Sequence, residues 1–396
     1  MTTLDHFNFA GKKALIRVDF NVPLNGAKEV TDDTRIRAAL PTIKKVLADG
    51  GSVILMSHLG RPKGSPNPDY SLSHVIPALS RLVGTEVKFA GDCIGETARN
   101  AVNGMKSGQI LLLENLRFYK EEEKGDEEFA RSLAELGDIY VNDAFGTAHR
   151  PHASTTIIAR FFPGKKCFGF LMAGEVKNIQ KVMNKAEKPF TAILGGAKVS
   201  DKILILEKLL ERADHIVIGG GMAFTFVKAM GGKTGKSLVE DDRIETAKQI
   251  LNRAAAAGVS IHIPVDSIIA DSFSNEASKK TCDVNAIPEG WMGLDIGPET
   301  EKNYEKIITG SKTILWNGPM GVFEMENFSH GTRMVAEAIV KSTDTGAYSL
   351  IGGGDSVAAI NKYRLSDKVS YVSTGGGAML EFIEKGSLPG VEAIEQ

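Results

Sequence analysis

Short apolar runs separated by helix-length segments are the feature of this sequence that most limits its fold. In the first half these runs are rich in Val, Ile and Leu and have the length of buried strands. They cover residues 14–18, 52–56, 109–113 and 139–141. Between them, residues 32–48 and 126–136 repeat apolar side chains at helical spacing. Strands that alternate with helices predict βαβ units and therefore a parallel sheet.

The same alternation starts again in the second half, at residues 190–194, 215–218, 260–263, 313–316 and 348–351. A chain of 396 residues is also too long for one core, since single cores stop growing near ~250–300 residues. We therefore predict an α/β fold of two doubly wound, Rossmann-like parallel-sheet domains joined by a hinge helix. The expected parts are residues 1–170, an interdomain helix at 171–184, a second domain at 185–380, and a C-terminal tail at 381–396 that packs back on the first domain.

Composition excludes several classes of protein. The 47 Lys and Arg nearly balance the 49 Asp and Glu, for a net charge of −2, so no overall basic field attracts nucleic acid or an anionic membrane. The three cysteines show no C-x-x-C spacing, which argues against a disulfide framework or a zinc site. No apolar run reaches membrane-spanning length, and the first ten residues do not resemble a secretory signal. We expect a cytoplasmic monomer with no nucleic-acid or membrane partner, and interpret the acidic cluster 121–128 as a solvated helix start.

Cations and hydrogen-bonding side chains follow the strands of the first half. Because ligands of open α/β sheets bind at the carboxyl ends of the strands, we expect these side chains to converge. So many cations together are tolerated mainly when a polyanion binds, and a small phosphorylated carboxylic acid has a suitable size and charge. Alternatively, each arginine pairs with a surface carboxylate and each histidine is structural. The set is Asp19, Asn21, Arg35, His58, Arg61, Arg117, His149 and Arg150.

Glycines follow the strands of the second half, at 195–196, 219–221, 318, 321, 352–354 and 375–377. Glycine lets backbone N–H groups approach phosphate closely, and helix N-termini favour negative charge. This half is therefore predicted to bind a nucleotide. Met230 replaces the first glycine of a P-loop, and Phe224 replaces the third glycine of a dinucleotide fingerprint. Phosphate binding must then use several separate helix N-termini.

Three charged residues in this half are candidates for phosphate and metal binding. Lys198 and Lys202 are four residues apart, so we expect them on one face at the start of a helix. Two cations there oppose the helix dipole, which favours a bound anion as the explanation. Asp355, among glycines, is predicted to reach a phosphate-bound Mg²⁺ or to cap the N-terminus of a helix.

Seven segments of the chain resemble the phosphoglycerate kinases, in the order of that family and over essentially the whole length. They are residues 17–23, 56–62, 114–118, 143–150, 194–199, 316–324 and 352–355. The resemblance implies that the first-half set binds 3-phosphoglycerate or 1,3-bisphosphoglycerate, that ATP or ADP binds the second half with Mg²⁺ at Asp355, and that Lys198 and Arg35 are catalytic. It also implies that backbone amides of Gly352 and Gly375 contact the transition state. The implied nucleotide-binding residues are Gly195, Gly196, Lys198, Lys202, Gly220, Gly293, Leu294, Asn317, Pro319, Glu324, Gly353, Gly354, Asp355 and Ser356.

The implied reaction moves a phosphoryl group between a nucleotide and a carboxylate. It needs neither a covalent nucleophile nor a general base, because a carboxylate with an intrinsic pKa near ~4 is already ionised at pH 7. The histidines are therefore assigned to phosphate binding, and closure of the two domains is expected to bring the substrates together. A nucleotide-dependent dehydrogenase and a two-lobe solute-binding protein are the competing interpretations. The missing dinucleotide fingerprint disfavours the former and the missing signal peptide the latter.

Overall fold

The computed structural model describes residues 1–396, which divide into two compact units. The first unit contains Met1–Lys177 and Lys385–Gln396, and the second contains Asn178–Glu384. The division falls within the helix Phe170–Asn184, which includes the residues predicted to join the domains. None of the helices is long and apolar enough to span a bilayer.

The first unit is built on a six-stranded parallel sheet with the strand order β3-β4-β2-β1-β5-β6. Its strands are β1 Lys13–Arg17, β2 Ser52–Met56, β3 Val87–Ala90, β4 Ile110–Leu113, β5 Ile139–Asn142 and β6 Lys166–Phe168. The helices of the chain up to the division are α1 Thr34–Ala48, α2 Ile76–Val83, α3 Gly95–Asn103, α4 Lys120–Lys124, α5 Glu127–Ala134 and α6 Phe170–Asn184. Every residue of β2, β4 and β5 is buried, as expected for parallel strands covered by helices on both faces.

The second unit contains another six-stranded parallel sheet, with the order β10-β8-β7-β15-β16-β17, and two smaller sheets, β12-β11-β14 and β13-β9. Its strands are β7 Phe190–Leu194, β8 His215–Ile218, β9 Lys233–Thr234, β10 Ser260–His262, β11 Asp266–Ala270, β12 Lys279–Asp283, β13 Ala286–Ile287, β14 Met292–Ile296, β15 Thr313–Asn317, β16 Tyr348–Ile351 and β17 Tyr371–Val372. The remaining helices are α7 Ile203–Leu210, α8 Met222–Ala229, α9 Ile244–Ala257, α10 Pro298–Thr309, α11 His330–Asp344, α12 Gly354–Lys362, α13 Gly377–Lys385 and α14 Pro389–Glu395.

The last helix of the chain, α14, belongs to the first unit. The backbone N–H of Gly390 donates to the carbonyl of Ala148 at 2.9 Å, and the Asn142 amide donates to the carbonyl of Gly390 at 3.3 Å. Val391 and Ile394 are buried on one face of this helix. The first unit is thus made of two stretches of chain that are far apart in sequence.

The α/β fold with two parallel sheets is confirmed, but the interpretation of the acidic cluster is wrong in one respect. Glu122, in the short helix α4, is completely buried, whereas Glu121, Glu123 and Glu128 keep part of their surface exposed. Its carboxylate accepts hydrogen bonds from the N–H and the hydroxyl of Ser154, at 3.0 and 2.6 Å. Burial is tolerated because these donors replace the water that the carboxylate loses.

Candidate functional site

The polar residues of the first unit lie at the carboxyl edge of the sheet, around β1 and β5. From β1 the chain passes to β2 on one side, whereas β5 and β6 lie on the other side of β1, so this is the switch point of the sheet. Crevices at such points are the usual ligand sites of open α/β sheets. Asp19 and Asn21 follow β1, and His149 and Arg150 follow β5.

Arginine and histidine side chains are concentrated at this edge. The pKa of His58 is held well below its ordinary value by burial and then by the charges of Arg17, Arg117 and Arg35, so the ring is neutral. Burial and neighbouring arginines also lower the pKa of His152, to about 3. Such a concentration of positive charge is the electrostatic requirement for binding a polyanion.

Arg35 and Asn21 are held in place by the loops around them. Nη1 of Arg35 donates to Oδ1 of Asp19 at 3.2 Å and to the carbonyl of Asn21 at 2.9 Å. Oδ1 of Asn21 accepts from the N–H of Gly60 at 2.9 Å, which links the loops after β1 and β2. Arg35 lies in the first turn of α1 and keeps 40% of its side-chain surface exposed, so its remaining donors are accessible to a ligand.

The other predicted cations of this unit lie on the neighbouring loops. Nη1 of Arg117 donates to the carbonyl of Gly60 at 3.0 Å, and Nε of Arg150 donates to Nε2 of His149 at 3.1 Å. Arg61 is exposed in the loop after β2. The structure therefore places seven of the eight predicted residues in the segments that follow the strands at one edge of the sheet, and Arg35 in the first turn of α1.

Sequence analysis overlooked four residues that support this cluster: Arg17, Glu122, His152 and Ser154. All are at least nine-tenths buried, and Arg17 ends β1 with 1% of its surface exposed. A charged residue at the end of an apolar strand was the available signal for Arg17. The other three have no such signal, because in a polar stretch of sequence a buried Glu, Ser or His cannot be distinguished from a solvated one.

The second unit contains a cavity of about 510 Å³ at the carboxyl edge of its sheet. It is lined largely by apolar side chains and by backbone, which suits a flat, weakly polar ring. Gly293 lies close to the ring of Phe224, since a Cβ there would be 2.0 Å from Cζ of that ring. The predicted residues in its lining are Gly196, Gly220, Gly293, Leu294, Pro319, Glu324 and Asp355.

A second cavity of about 280 Å³ shares Gly196, Ala197 and Asp355 with the first. It lies beside β7 and β15, which pair at the switch point of this sheet, where the N–H of Gly195 donates to the carbonyl of Asn317 at 3.0 Å. Glycine is required at 353, where φ is +91° and a Cβ would be 2.2 Å from Nδ2 of Asn317. The predicted residues in the lining are Gly195, Gly196, Lys198, Lys202, Asn317, Gly353, Gly354, Asp355 and Ser356. Gly352 and Gly375 lie in the turns that follow β16 and β17.

The expectation that Lys198 and Lys202 share a helix face is wrong. Helix α7 begins at Ile203, after a turn at 199–202, so Lys202 is its N-cap residue and Lys198 lies outside it. Lys198 is exposed, whereas Lys202 donates to Oδ1 of Asn317 and its pKa is lowered by burial. The two lysines nevertheless line the same cavity. A turn thus brings them together where a helical repeat was expected.

Asp355 is not a helix cap either. Gly353 is the N-cap residue of α12, and Asp355 lies exposed in the first turn, where its negative charge suits the helix dipole. No group of three or more His, Cys, Asp or Glu side chains is arranged to hold a metal ion. A lone carboxylate beside a phosphate-sized cavity fits Mg²⁺ that is held mainly by nucleotide phosphates.

Comparison with known proteins gives concordant similarities over nearly the whole chain. The phosphoglycerate kinase family profile matches residues 4–386. A phosphoglycerate kinase of Porphyromonas gingivalis is 53% identical over 417 aligned positions, covering 99% of this chain and all of that protein. A relative from Arabidopsis thaliana, named phosphoglycerate kinase 3, cytosolic, is 51% identical and covers 100% of this chain and 98% of that protein. The solved phosphoglycerate kinase of Coxiella burnetii superposes with a TM-score of 0.91 at 42% identity, covering 100% of this chain and 98% of that one.

Proposed function

This chain belongs to the phosphoglycerate kinase family, and on that basis we propose that it transfers a phosphoryl group reversibly between 1,3-bisphosphoglycerate and Mg-ADP, giving 3-phosphoglycerate and Mg-ATP. The observation that carries the proposal is the pair of switch-point sites. One is rich in arginine and histidine side chains and the other is lined by glycine. A small phosphorylated acid suits the first site, and a nucleotide suits the second.

The acid substrate binds the first unit through arginine forks and polar loop groups. Arginine grips the planar oxygens of phosphate and carboxylate with two parallel hydrogen bonds, which Lys does not. Asn21 and Asp19 lie beside Arg35 and are suited to bind the substrate hydroxyl. The full set is Asp19, Asn21, Arg35, His58, Arg61, Arg117, His149 and Arg150.

The nucleotide lies across the two cavities of the second unit. Its base enters the larger, apolar cavity between Gly293 and the neighbouring strands, and its phosphates lie in the smaller cavity near Lys198, Lys202 and Asn317. Glycine turns at 195–196 and 353–354 leave room for backbone N–H groups to approach phosphate oxygens. Asp355 would hold Mg²⁺ bound to the nucleotide, and the ion would supply neutralisation of part of the phosphate charge.

The chemistry of the chain is positioning and electrostatic stabilisation. The attacking carboxylate is already ionised, so no side chain has to remove a proton. As the phosphoryl group moves in line between two oxygens, negative charge spreads over its three equatorial oxygens. Lys198 and Arg35 are proposed to stabilise that charge from either side, and backbone amides at Gly352 and Gly375 add donors that cost no reorganisation.

Because the two sets of residues belong to different units, transfer requires that both substrates meet with water excluded. We propose that the units close about the α6 region when both ligands are bound. Small-angle scattering checks this: the radius of gyration should fall when 3-phosphoglycerate and a non-hydrolysable Mg-ATP analogue are added together. An unchanged radius under saturating ligands contradicts closure.

The activity itself is tested with an assay coupled to NADH oxidation, in which the acyl phosphate formed from 3-phosphoglycerate is reduced. We expect turnover that requires 3-phosphoglycerate, ATP and Mg²⁺ together. Omission of each component in turn is the control. Turnover without 3-phosphoglycerate, or none with all three, contradicts the proposal.

Two further features are proposed with this activity. A cytoplasmic location accords with the cytosolic name of the Arabidopsis relative. A monomer accords with the few exposed large apolar side chains, of which Leu238 and Phe273 line the larger cavity. Cell fractionation and sedimentation equilibrium check the two features separately.

A further inference from the structure

A buried carboxylate and a buried hydroxyl, neither of them placed in contact with substrate, lie behind the substrate histidine of the first unit. We propose that Glu122 and Ser154 are positioning residues that hold Arg17 so that the imidazole of His58 is fixed as its Nε2–H tautomer. This inference rests on the proposed function only in giving His58 a substrate to bind; the tautomer itself is a property of the free protein.

The four side chains form one continuous hydrogen-bonded chain. The carboxylate of Glu122 accepts from the Ser154 hydroxyl at 2.6 Å and from its backbone N–H at 3.0 Å. The same hydroxyl is 2.9 Å from Nε of Arg17, and Nη2 of Arg17 is 3.3 Å from Nδ1 of His58. Glu122 and Ser154 expose no surface, and Arg17 and His58 expose 1% and 3%. Water therefore has little access to these four side chains and cannot readily replace any of them in the hydrogen-bonded chain.

The direction of every hydrogen bond in this chain follows from the donors that each group has. Arginine carries five N–H donors and no acceptor. The Ser154 hydroxyl must therefore accept from Arg17, which leaves its one hydrogen for Glu122. Nδ1 of His58 must likewise present a lone pair to Arg17, so in the neutral ring the hydrogen is on Nε2.

The electrostatic surroundings keep that ring neutral. His58 is surrounded by Arg17, Arg117, Arg35 and His152, and no carboxylate appears among the charges that act on it most strongly. Burial and these cations hold the pKa of His58 well below its ordinary value. Glu122 compensates the charge of Arg17 one step behind the ring, so it anchors the arginine without attracting a proton to His58.

The consequence for binding is that His58 offers an anion an N–H and not a lone pair. A neutral imidazole free to exchange tautomers would present a lone pair to a phosphate or carboxylate oxygen for part of the time, which is repulsive. Fixing the tautomer removes that population before substrate arrives, and pre-organisation of this kind strengthens binding. The arrangement thus makes the neutral ring of His58 a hydrogen-bond donor to the anion.

The first test is the tautomer of His58 in the ligand-free protein, read from nitrogen-15 chemical shifts and long-range couplings of histidine-labelled protein. His58→Gln identifies the signal. We expect the hydrogen on Nε2 in wild type, and a mixture of both tautomers in Ser154→Ala and Glu122→Gln. Ser132→Ala and Glu128→Gln, on the partly exposed helix α5, are matched controls that should leave the His58 signal unchanged.

The second test separates positioning from a merely structural role. Ser154→Ala should raise the KM for 3-phosphoglycerate by about 3- to 10-fold, the equivalent of one net hydrogen bond, with little change in kcat. Glutamine at 58 has its own Nε2 hydrogens and no tautomers, so in a His58→Gln background Ser154→Ala should have a clearly smaller effect on that KM.

Hydrogen on Nδ1 of His58 in wild type overturns the proposal, and so does a His58 signal in both Ser154→Ala and Glu122→Gln that matches wild type. Equal KM effects of Ser154→Ala in the two backgrounds also overturn it. Circular dichroism of each variant confirms that it is folded. If the protein showed no kinase activity, the proposed function would fail while the tautomer measurement still decided this proposal.

Discussion

The anion sites proposed for the two units lie at the same point of the same kind of sheet but are built from different atoms. In the first unit the anion is met by side-chain cations, which repel one another and must be anchored by carboxylates such as Asp19 and Glu122. In the second unit it is met mainly by backbone at glycine turns, where φ is +110° at Gly196 and +91° at Gly353. The first site should therefore be sensitive to changes of charge, and the second to changes of volume.

The strongest challenge to this contrast is Lys198, an exposed cation in the glycine-lined unit. Lys198→Ala should lower kcat by about 100-fold or more with little change in KM, because the contact is made mainly in the transition state. Steady-state kinetics with both substrates measures this. Lys208→Ala, on the exposed side of α7, is the control. An unchanged kcat would remove Lys198 from the catalytic role and leave the second site wholly dependent on backbone.

The complementary change removes one cation from the first unit. Arg35→Ala should raise the KM for 3-phosphoglycerate by about 10- to 100-fold, as expected for loss of charge-assisted hydrogen bonds, and should also lower kcat. Arg37→Ala is a matched control, because Arg37 lies two residues away in α1 and pairs with Asp33 on the surface. Of the two KM values, only that for 3-phosphoglycerate should rise; an equal rise in the KM for ATP contradicts the division of labour between the units.

Gly353→Ala tests the expected sensitivity of the second site to added side-chain volume. The added methyl group would meet Nδ2 of Asn317 at 2.2 Å and impose a left-handed φ on alanine, so we expect a loss of about 1–3 kcal/mol of stability together with a higher KM for ATP. Gly346→Ala has a similar φ of +102° but open space around it, and it lies away from both cavities. If the two variants raised the KM for ATP equally, close approach at Gly353 would not be the reason for its glycine.

The last prediction concerns stability at a feature that the units share. Burial raises the pKa of Asp143 in the first unit and Asp295 in the second, each to about 7. The folded state then keeps a proton that the unfolded state releases near pH 4, so each residue makes stability fall between about pH 4 and 7, by at most about 1.4 kcal/mol per pH unit. Asp143→Asn and Asp295→Asn should each flatten that fall.

The location of tryptophan lets this prediction distinguish the units. Trp291 and Trp316, the only two tryptophans, both belong to the second unit. Urea unfolding followed by tryptophan fluorescence should therefore report the changed pH dependence of stability in Asp295→Asn. Circular dichroism should report that change in both variants. A pH dependence as steep in both variants as in wild type would show that neither carboxyl is protonated in the folded protein.

Most of the fold could be predicted because buried parallel strands are continuous apolar runs. Two of the strands that sequence analysis missed lack that signal: β12 is mostly exposed and carries Lys279 and Lys280, and β17 has only two residues. Strands β11 and β14 are largely buried, but Asp266 and Asp295 leave each of them only a short apolar run. Edge strands often carry charged side chains in place of apolar ones, so their sequences resemble those of loops.

The cations and glycines of the candidate sites could be predicted from their positions after strands, whereas their supporting residues could not. Glu122 lies among five neighbouring acidic residues, and nothing local distinguishes it from them. Its partner Ser154 is 32 residues away and meets it only in the folded chain. The start of α7 was misplaced because Lys202, at its N-cap position, makes no capping hydrogen bond with its side chain.

The return of α14 to the first unit has a consequence for biosynthesis. A ribosome makes Met1–Lys177 early, but the carbonyl of Ala148 and the amide of Asn142 meet their partner at Gly390 only after the whole second unit has been translated. The second unit, by contrast, is continuous in sequence, so all of its residues are made before Gly390. The unit whose translation starts first therefore receives its last helix after the other unit has been translated in full.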